Sequence, residues 1–140
     1  MHIEKSCGAV LFTEINGKRH YVLVSSTVEN NCGLPKGHVE NDETDEETAL
    51  REISEETCVN AKIIEGFRKQ IEYVIPNGKI KQVVFFIAQY QNQEAKNNPC
   101  EKFTVMLLPI DEALRSVTFE NVRKVLLDAD KWLANEKRQI

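Results

Sequence analysis

Several patterns that would assign a class at once are missing from this chain. Its cysteines, at positions 7, 32, 58 and 100, include no C-x-x-C pair, so a zinc site has no ligand spacing to build on. They read as reduced thiols, as in a protein of the cytosol. No stretch approaches the roughly 18 apolar residues of a membrane-spanning helix, and the first residues do not read as a signal peptide. No basic stripe is present and the net charge is −4, so bulk nucleic-acid binding is not expected. No repeat, linker or low-complexity tract divides the sequence. With 140 residues, 41% of them hydrophobic, the expectation is one domain over residues 1–140 with a core of its own. Its expected location is the cytoplasm.

What the chain has in excess is acid in one place. Nine of the residues from Glu40 to Glu56 are acidic and only Arg51 is basic. Like charges at i,i+4 spacing cost a few tenths of a kcal/mol per pair, and a divalent cation would offset that repulsion. The segment also has helix signals. Thr44 is a good N-cap, and Glu47 three residues on completes a capping box. Ala49, Leu50 and Ile53 supply an apolar stripe. At about 100° per residue, Glu52, Glu55 and Glu56 fall within about 100° of one another beside that stripe. Arg51 lies four residues before Glu55, in reach of an ion pair. Acidic runs are commonly solvated faces, but the residues upstream argue against that here. In Leu34-Pro35-Lys36-Gly37-His38 a proline and a glycine bracket a cation just ahead of the carboxylates, the kind of tight loop a phosphate site needs.

The remaining elements follow from periodicity and turn chemistry. Ser6 to Phe12 reads as a buried strand. Asn16-Gly17 is a hairpin turn, and His20 to Ser25 returns as the second strand. Thr27 to Gly33 reads as loop. Ala61 to Tyr73 fits a strand with a bulge at Gly66, and Pro76-Asn77-Gly78 is a turn. Ile80 to Tyr90 is the longest β-type run and is placed centrally. Gln91 to Pro99 is a polar loop, and Phe103 to Leu108 is another strand. A short helix is expected over Asp111 to Val117. A longer one, capped by Thr118, is expected from Phe119 to about Lys137, with apolar positions at helical spacing. Mixed strands with one central and one or two C-terminal helices predict an α/β fold, a sheet covered by helices on both faces.

The acidic segment resembles the signature of the Nudix hydrolases: Gly, five residues, Glu, seven residues, then Arg-Glu-aliphatic-x-Glu-Glu-x-Gly-aliphatic. Gly37, Glu43, Arg51, Glu52, Ile53, Glu55, Glu56 and Val59 match it; Cys58 stands where the family has Gly. The resemblance implies a Nudix α/β/α sandwich with a mixed sheet. It also implies hydrolysis of a nucleoside diphosphate linked to another group, with Mg²⁺, or Mn²⁺ in its place, as cofactor. By similarity Glu52 and Glu56 would be the main metal ligands and Glu55 a further one, with the backbone carbonyl of Lys36 completing the set. Arg51 would be part of the catalytic constellation, and Glu43 would stabilise the loop or orient Arg51. One of the helix glutamates, or a more distant one, would take the proton of the attacking water. Glu101, ahead of the Phe103 strand, is the distal candidate, and Glu94 is the competing loop acid.

Within the family, Leu34-Pro35-Lys36-Gly37-His38-Val39-Glu40 is most similar to the asymmetric bis(5′-nucleosyl)-tetraphosphate hydrolases. Cys7-Gly8-Ala9-Val10, Ile64-Glu65-Gly66-Phe67-Arg68, Tyr73, Lys81 and Phe85-Phe86 continue the likeness. That branch often has Trp where Cys32 stands. The likeness implies a small-molecule nucleotide substrate, diadenosine tetraphosphate split into ATP and AMP. Lys36, His38 and Lys81 would lie near the polyphosphate, and Tyr73 and Phe85 would stack on a nucleobase; as strand residues, the two aromatics also read as core. Two other functions stand beside this one: a pyrophosphohydrolase of nucleoside triphosphates or RNA 5′ ends, and a nucleotide-binding regulator without catalysis. Three converging acids speak against the regulator.

Overall fold

The computed structural model describes residues 3–138. Seven strands and three helices follow in the order β1 (Ile3–Ile15), β2 (Lys18–Ser26), β3 (Asn31–Gly33), β4 (Lys36–His38), α1 (Asp45–Thr57), β5 (Lys62–Val74), β6 (Ile80–Gln89), β7 (Phe103–Pro109), α2 (Ile110–Ser116) and α3 (Glu120–Arg138). The sheet runs β3-β2-β1-β6-β5, with β7 paired to β2 and β4 paired to β1. β1 and β6 are parallel and the other pairs antiparallel, so the sheet is mixed. β6 lies between β1 and β5, the interior place its long apolar run implied.

Alternation along the central strands divides the core in two. Val10, Phe12, Tyr21, Leu23, Val83, Phe85 and Ile87 face α2 and α3. Cys7, Ala9, Leu11, Val22, Val84, Phe86 and Ala88 face α1, which contributes Ala49 and Ile53. This is the three-layered α/β/α arrangement expected from the sequence. Each helix layer is also pinned by polar contacts. The Tyr21 hydroxyl donates to Asp130 of α3 at 2.5 Å. At the start of α1, Asp45 lies 2.9 Å from Lys5 and 3.4 Å from Arg68.

The turns behave as their residues dictate. Asn16 and Gly17 both have positive φ, 53° and 79°, and bring Ile15 opposite Lys18, the backbone a two-residue hairpin of primed type requires. Gly66 has φ 111°, and a β-carbon there would sit 2.9 Å from the Trp132 ring. The pairing of β5 with β6 shifts register between Ile64 and Lys69, the bulge expected around Gly66.

Three expectations need correcting. Thr27 to Gly33 contains β3, and the loop ahead of α1 contains β4. Both strands have three residues, too few to show a period of two. β4 forms because β1 pairs with β2 only over Phe12–Ile15, which leaves Ser6–Gly8 free to pair with Lys36–His38. Thr118 does not cap α3 by its side chain. Its hydroxyl accepts the Cys32 N–H at 2.8 Å, its own N–H donates to the Cys32 carbonyl, and the helix begins at Glu120.

Candidate active site

The acidic helix is built as its sequence dictates. The Thr44 hydroxyl accepts the Glu47 N–H at 3.1 Å, and the Glu47 carboxylate accepts the Thr44 N–H at 2.9 Å. Asp45, Glu46 and Glu47 occupy the first turn, where negative charge suits the helix dipole. At the other end Cys58 takes the left-handed conformation, φ 65°. The backbone geometry of the motif's glycine is thus kept by a residue that carries a side chain.

Arg51 organises the carboxylates. Its Nε lies 2.7 Å from Glu43 Oε2 and its Nη2 3.1 Å from Glu43 Oε1. Nη1 reaches Glu52 at 3.0 Å and Glu55 at 2.9 Å. Nη2 also donates to the His38 carbonyl at 2.9 Å, tying α1 to β4. Glu43 further accepts the Glu40 N–H and the Thr48 hydroxyl. Hydrogen bonding to Arg51, first, and to these donors holds its carboxyl down at about 2.

Glu56 is the exception among the acids. Its side chain is 3% exposed. Burial, and then the neighbouring Glu52 carboxyl, push its pKa well above the ordinary carboxylate value, while the charge and backbone of Lys36 pull the other way. Glu52 in turn is pressed against β4: a β-carbon on Gly37 would fall 2.0 Å from its carboxyl carbon. Only glycine lets the strand approach the helix this closely.

Among the described residues no three His, Cys, Asp or Glu side chains stand in a ready-made ligand cluster. Glu52 and Glu55 point to Arg51, and Glu56 is buried beside the Glu52 carboxyl. The donor set still fits a hard divalent ion, which favours carboxylate oxygens. A cation in place of the proton would remove the cost of crowding Glu56 against Glu52.

Glu56 and Lys36 also line a cavity of about 790 Å³, together with Tyr73, Lys81, Phe85 and Phe119. Lys81 and Tyr73 are register partners across β6 and β5. The Lys81 Nζ lies 3.3 Å from His38 Nε2. Burial and the nearby Lys36 lower the Lys81 pKa, as a site awaiting anionic oxygens would. Phe85 has no exposed surface and packs into the α3-side core, so it forms cavity floor more than stacking face. Tyr73, 37% exposed, and Phe119, 54% exposed, stand freer on the cavity.

Glu101 lies outside this group. It is half-buried in the turn before β7, and among the described residues its carboxylate has no partner; the same holds for Glu94, which is exposed. Sequence reasoning missed two residues near the site. Phe119 read as one more apolar position of α3. Glu4, 3.7 Å from His38 and 3.4 Å from Lys79, owes its place to the pairing of β1 with β6 opposite Lys81, which no local pattern announces.

A three-layered fold with this acidic helix against a glycine strand defines a class. Residues 5–129 match the NUDIX domain, and the chain belongs to the Nudix hydrolase family. The chain is 29% identical over 147 residues to the asymmetrical bis(5′-nucleosyl)-tetraphosphatase of Rattus norvegicus, covering 94% of this chain and 96% of that protein. To the Sus scrofa protein of the same name it is 30% identical, with the same coverage. Among solved structures, a C. elegans Ap4A hydrolase binary complex superposes with a TM-score of 0.85 at 22% identity, covering 94% of this chain and 98% of that one. The chain is an enzyme of the pyrophosphohydrolase class. Among the described residues no helix is long and apolar enough to cross a membrane.

Proposed function

We propose that this Nudix hydrolase cleaves diadenosine tetraphosphate asymmetrically, into ATP and AMP, with Mg²⁺, or Mn²⁺ in its place. One juxtaposition carries the reading: Glu56 of the acidic helix and Lys36 of the glycine strand line the same cavity as Lys81, Tyr73 and Phe119. A cavity lined by acids, lysines and aromatic rings suits a ligand with a polyphosphate and a base. The names of the rat and pig relatives point to the same substrate.

In this reading Glu52, Glu55, Glu56 and the carbonyl of Lys36 would hold the cation. When bound, it neutralises phosphate charge and makes water acidic enough to serve as nucleophile. Lys36, Lys81 and His38 bind phosphate oxygens by charge-assisted hydrogen bonds, while Arg51 keeps the glutamates oriented. A glutamate of α1, or Glu101 from its turn, takes the proton of the attacking water. Tyr73 and Phe119 flank the base over the Phe85 floor.

Hydrolysis in ¹⁸O-water tests the assignment. Attack on the phosphorus of the adenosine monophosphate moiety, with ATP as the leaving group, puts label in AMP and none in ATP. Label in ATP, or a product pair of two ADP, rejects asymmetric cleavage. Faster turnover of nucleoside triphosphates or triphosphorylated RNA ends in a substrate panel would move the substrate elsewhere in the family.

A further inference from the structure

The last four carbonyls of a helix have no partner within it, and α1 carries no basic residue in its last turn to supply donors. The Ser54 carbonyl is satisfied by the Cys58 N–H. The next donors come from a distant segment, the polar loop ahead of β7. The Lys96 N–H donates to the Thr57 carbonyl at 3.0 Å, and the Asn98 side-chain amide donates to the Glu55 carbonyl at 2.7 Å. Further back, the Gln93 amide pairs with both the N–H and the carbonyl of Asn60, at 2.7 and 2.8 Å. The loop is therefore laid along the end of the acidic helix.

Asn98 differs from the other two anchors because the two ends of its amide join two different segments, α1 and the turn before β7. While Nδ2 donates into α1, Oδ1 accepts the Cys100 N–H at 3.0 Å, and its backbone carbonyl accepts the Glu101 N–H at 2.9 Å. One half-buried side chain thus joins the helix turn bearing Glu55 and Glu56 to the turn bearing Glu101. Neither a hydroxyl nor a carboxylate has the same separated donor and acceptor.

We infer that Asn98 is a positioning residue, which fixes the Glu101 turn against the carboxylate-bearing last turn of α1 and so sets the geometry of the cation site. The inference rests on the proposed role of Glu55 and Glu56 in holding a divalent ion. Outer groups that orient metal ligands typically contribute 10–100-fold to affinity or activity.

The test compares Asn98→Ala with Gln93→Ala, which unfastens the same loop at its far end. Mn²⁺ binding is titrated without nucleotide, and melting is followed in EDTA. Asn98→Ala is expected to weaken Mn²⁺ binding about tenfold and to lower kcat with KM little changed. Gln93→Ala should cost comparable thermal stability and leave Mn²⁺ affinity within about twofold. In a Glu101→Gln background, Asn98→Ala should lower kcat by much less than it does alone, since the proton-accepting group whose turn it positions is already gone. Equal Mn²⁺ affinities for the two alanine variants, a full multiplication of the Asn98 and Glu101 effects, or a wild-type chain that takes up no Mn²⁺ would each overturn the inference. Binding and turnover fail separately: Mn²⁺ affinity that depends on Asn98 in a chain that cleaves no polyphosphate sinks the proposed substrate and keeps the positioning role.

Discussion

Among single residues, Glu56 shows most directly how a functional group sets stability and chemistry against each other. An acid placed 3% exposed beside another acid costs free energy in the charged form, so the folded chain without a cation favours its protonated state. Its folded-state pKa lies above the unfolded value. The favourable contribution is therefore complete below the ordinary carboxylate range and is lost as pH rises through the folded value, by up to about 1.4 kcal/mol per pH unit. Glu56→Gln keeps a neutral side chain of the same shape and removes this dependence. In EDTA the variant should melt at or above the wild-type temperature at pH 5, and the gap in its favour should widen toward pH 8. The same variant should lose most of its turnover. A gap that is constant with pH would show that Glu56 stays ionised in the folded chain, and a variant that melts far below wild type would make Glu56 a structural residue.

For whole elements, the end of α1 offers a second measurable case. Cys58 sits at φ 65° where the family has glycine, and a side-chain-bearing residue pays roughly 1–2 kcal/mol in that conformation. Its side chain is exposed, so little packing is at stake. Cys58→Gly should raise the unfolding free energy by about 0.5–1 kcal/mol, the larger freedom of an unfolded glycine offsetting part of the gain. Urea unfolding that shows no gain would mean the thiol makes a contact that matters. Elements with strong local chemistry were legible in the sequence: the capping box of α1, the Asn16-Gly17 hairpin, the bulge at Gly66 and the long apolar run of β6. Elements whose reason is tertiary were not. β3 and β4 exist because neighbouring strands leave pairing sites open, and Thr118 was read as a cap because a lone Thr before an apolar run looks alike whether its hydroxyl serves the helix or the Cys32 backbone. The acidic helix of the candidate site was legible for the same local reasons. Glu4, Asn98 and Phe119 were not, because register and loop docking bring them in from far along the chain.

Taken as a whole, the molecule builds its cavity from both sides of the sheet. Lys36 and Gly37 are adjacent on β4. Gly37 faces the Glu52 carboxyl of α1, whereas Lys36 lines the cavity, so the strand carries a cation within one residue of the acids. Lys81 closes the arrangement from β6, on the sheet face shared with Val83 and Phe85. It is half-buried, and its pKa is lowered by burial and by Lys36, against the opposing pull of Glu4 and Glu29. A half-buried lysine charge is costly unless an anion meets it closely. Lys81→Met keeps the apolar stem and removes the charge, so the free protein should be no less stable. Its kcat/KM for diadenosine tetraphosphate should fall about tenfold or more, since a charge-assisted hydrogen bond contributes about 1.5–3 kcal/mol. Substrates with fewer phosphates should lose less, because fewer of their oxygens reach β6. Equal kinetics for both proteins on every substrate would mean that the polyphosphate does not run along this face, and the assignment would return to a Nudix hydrolase of other specificity.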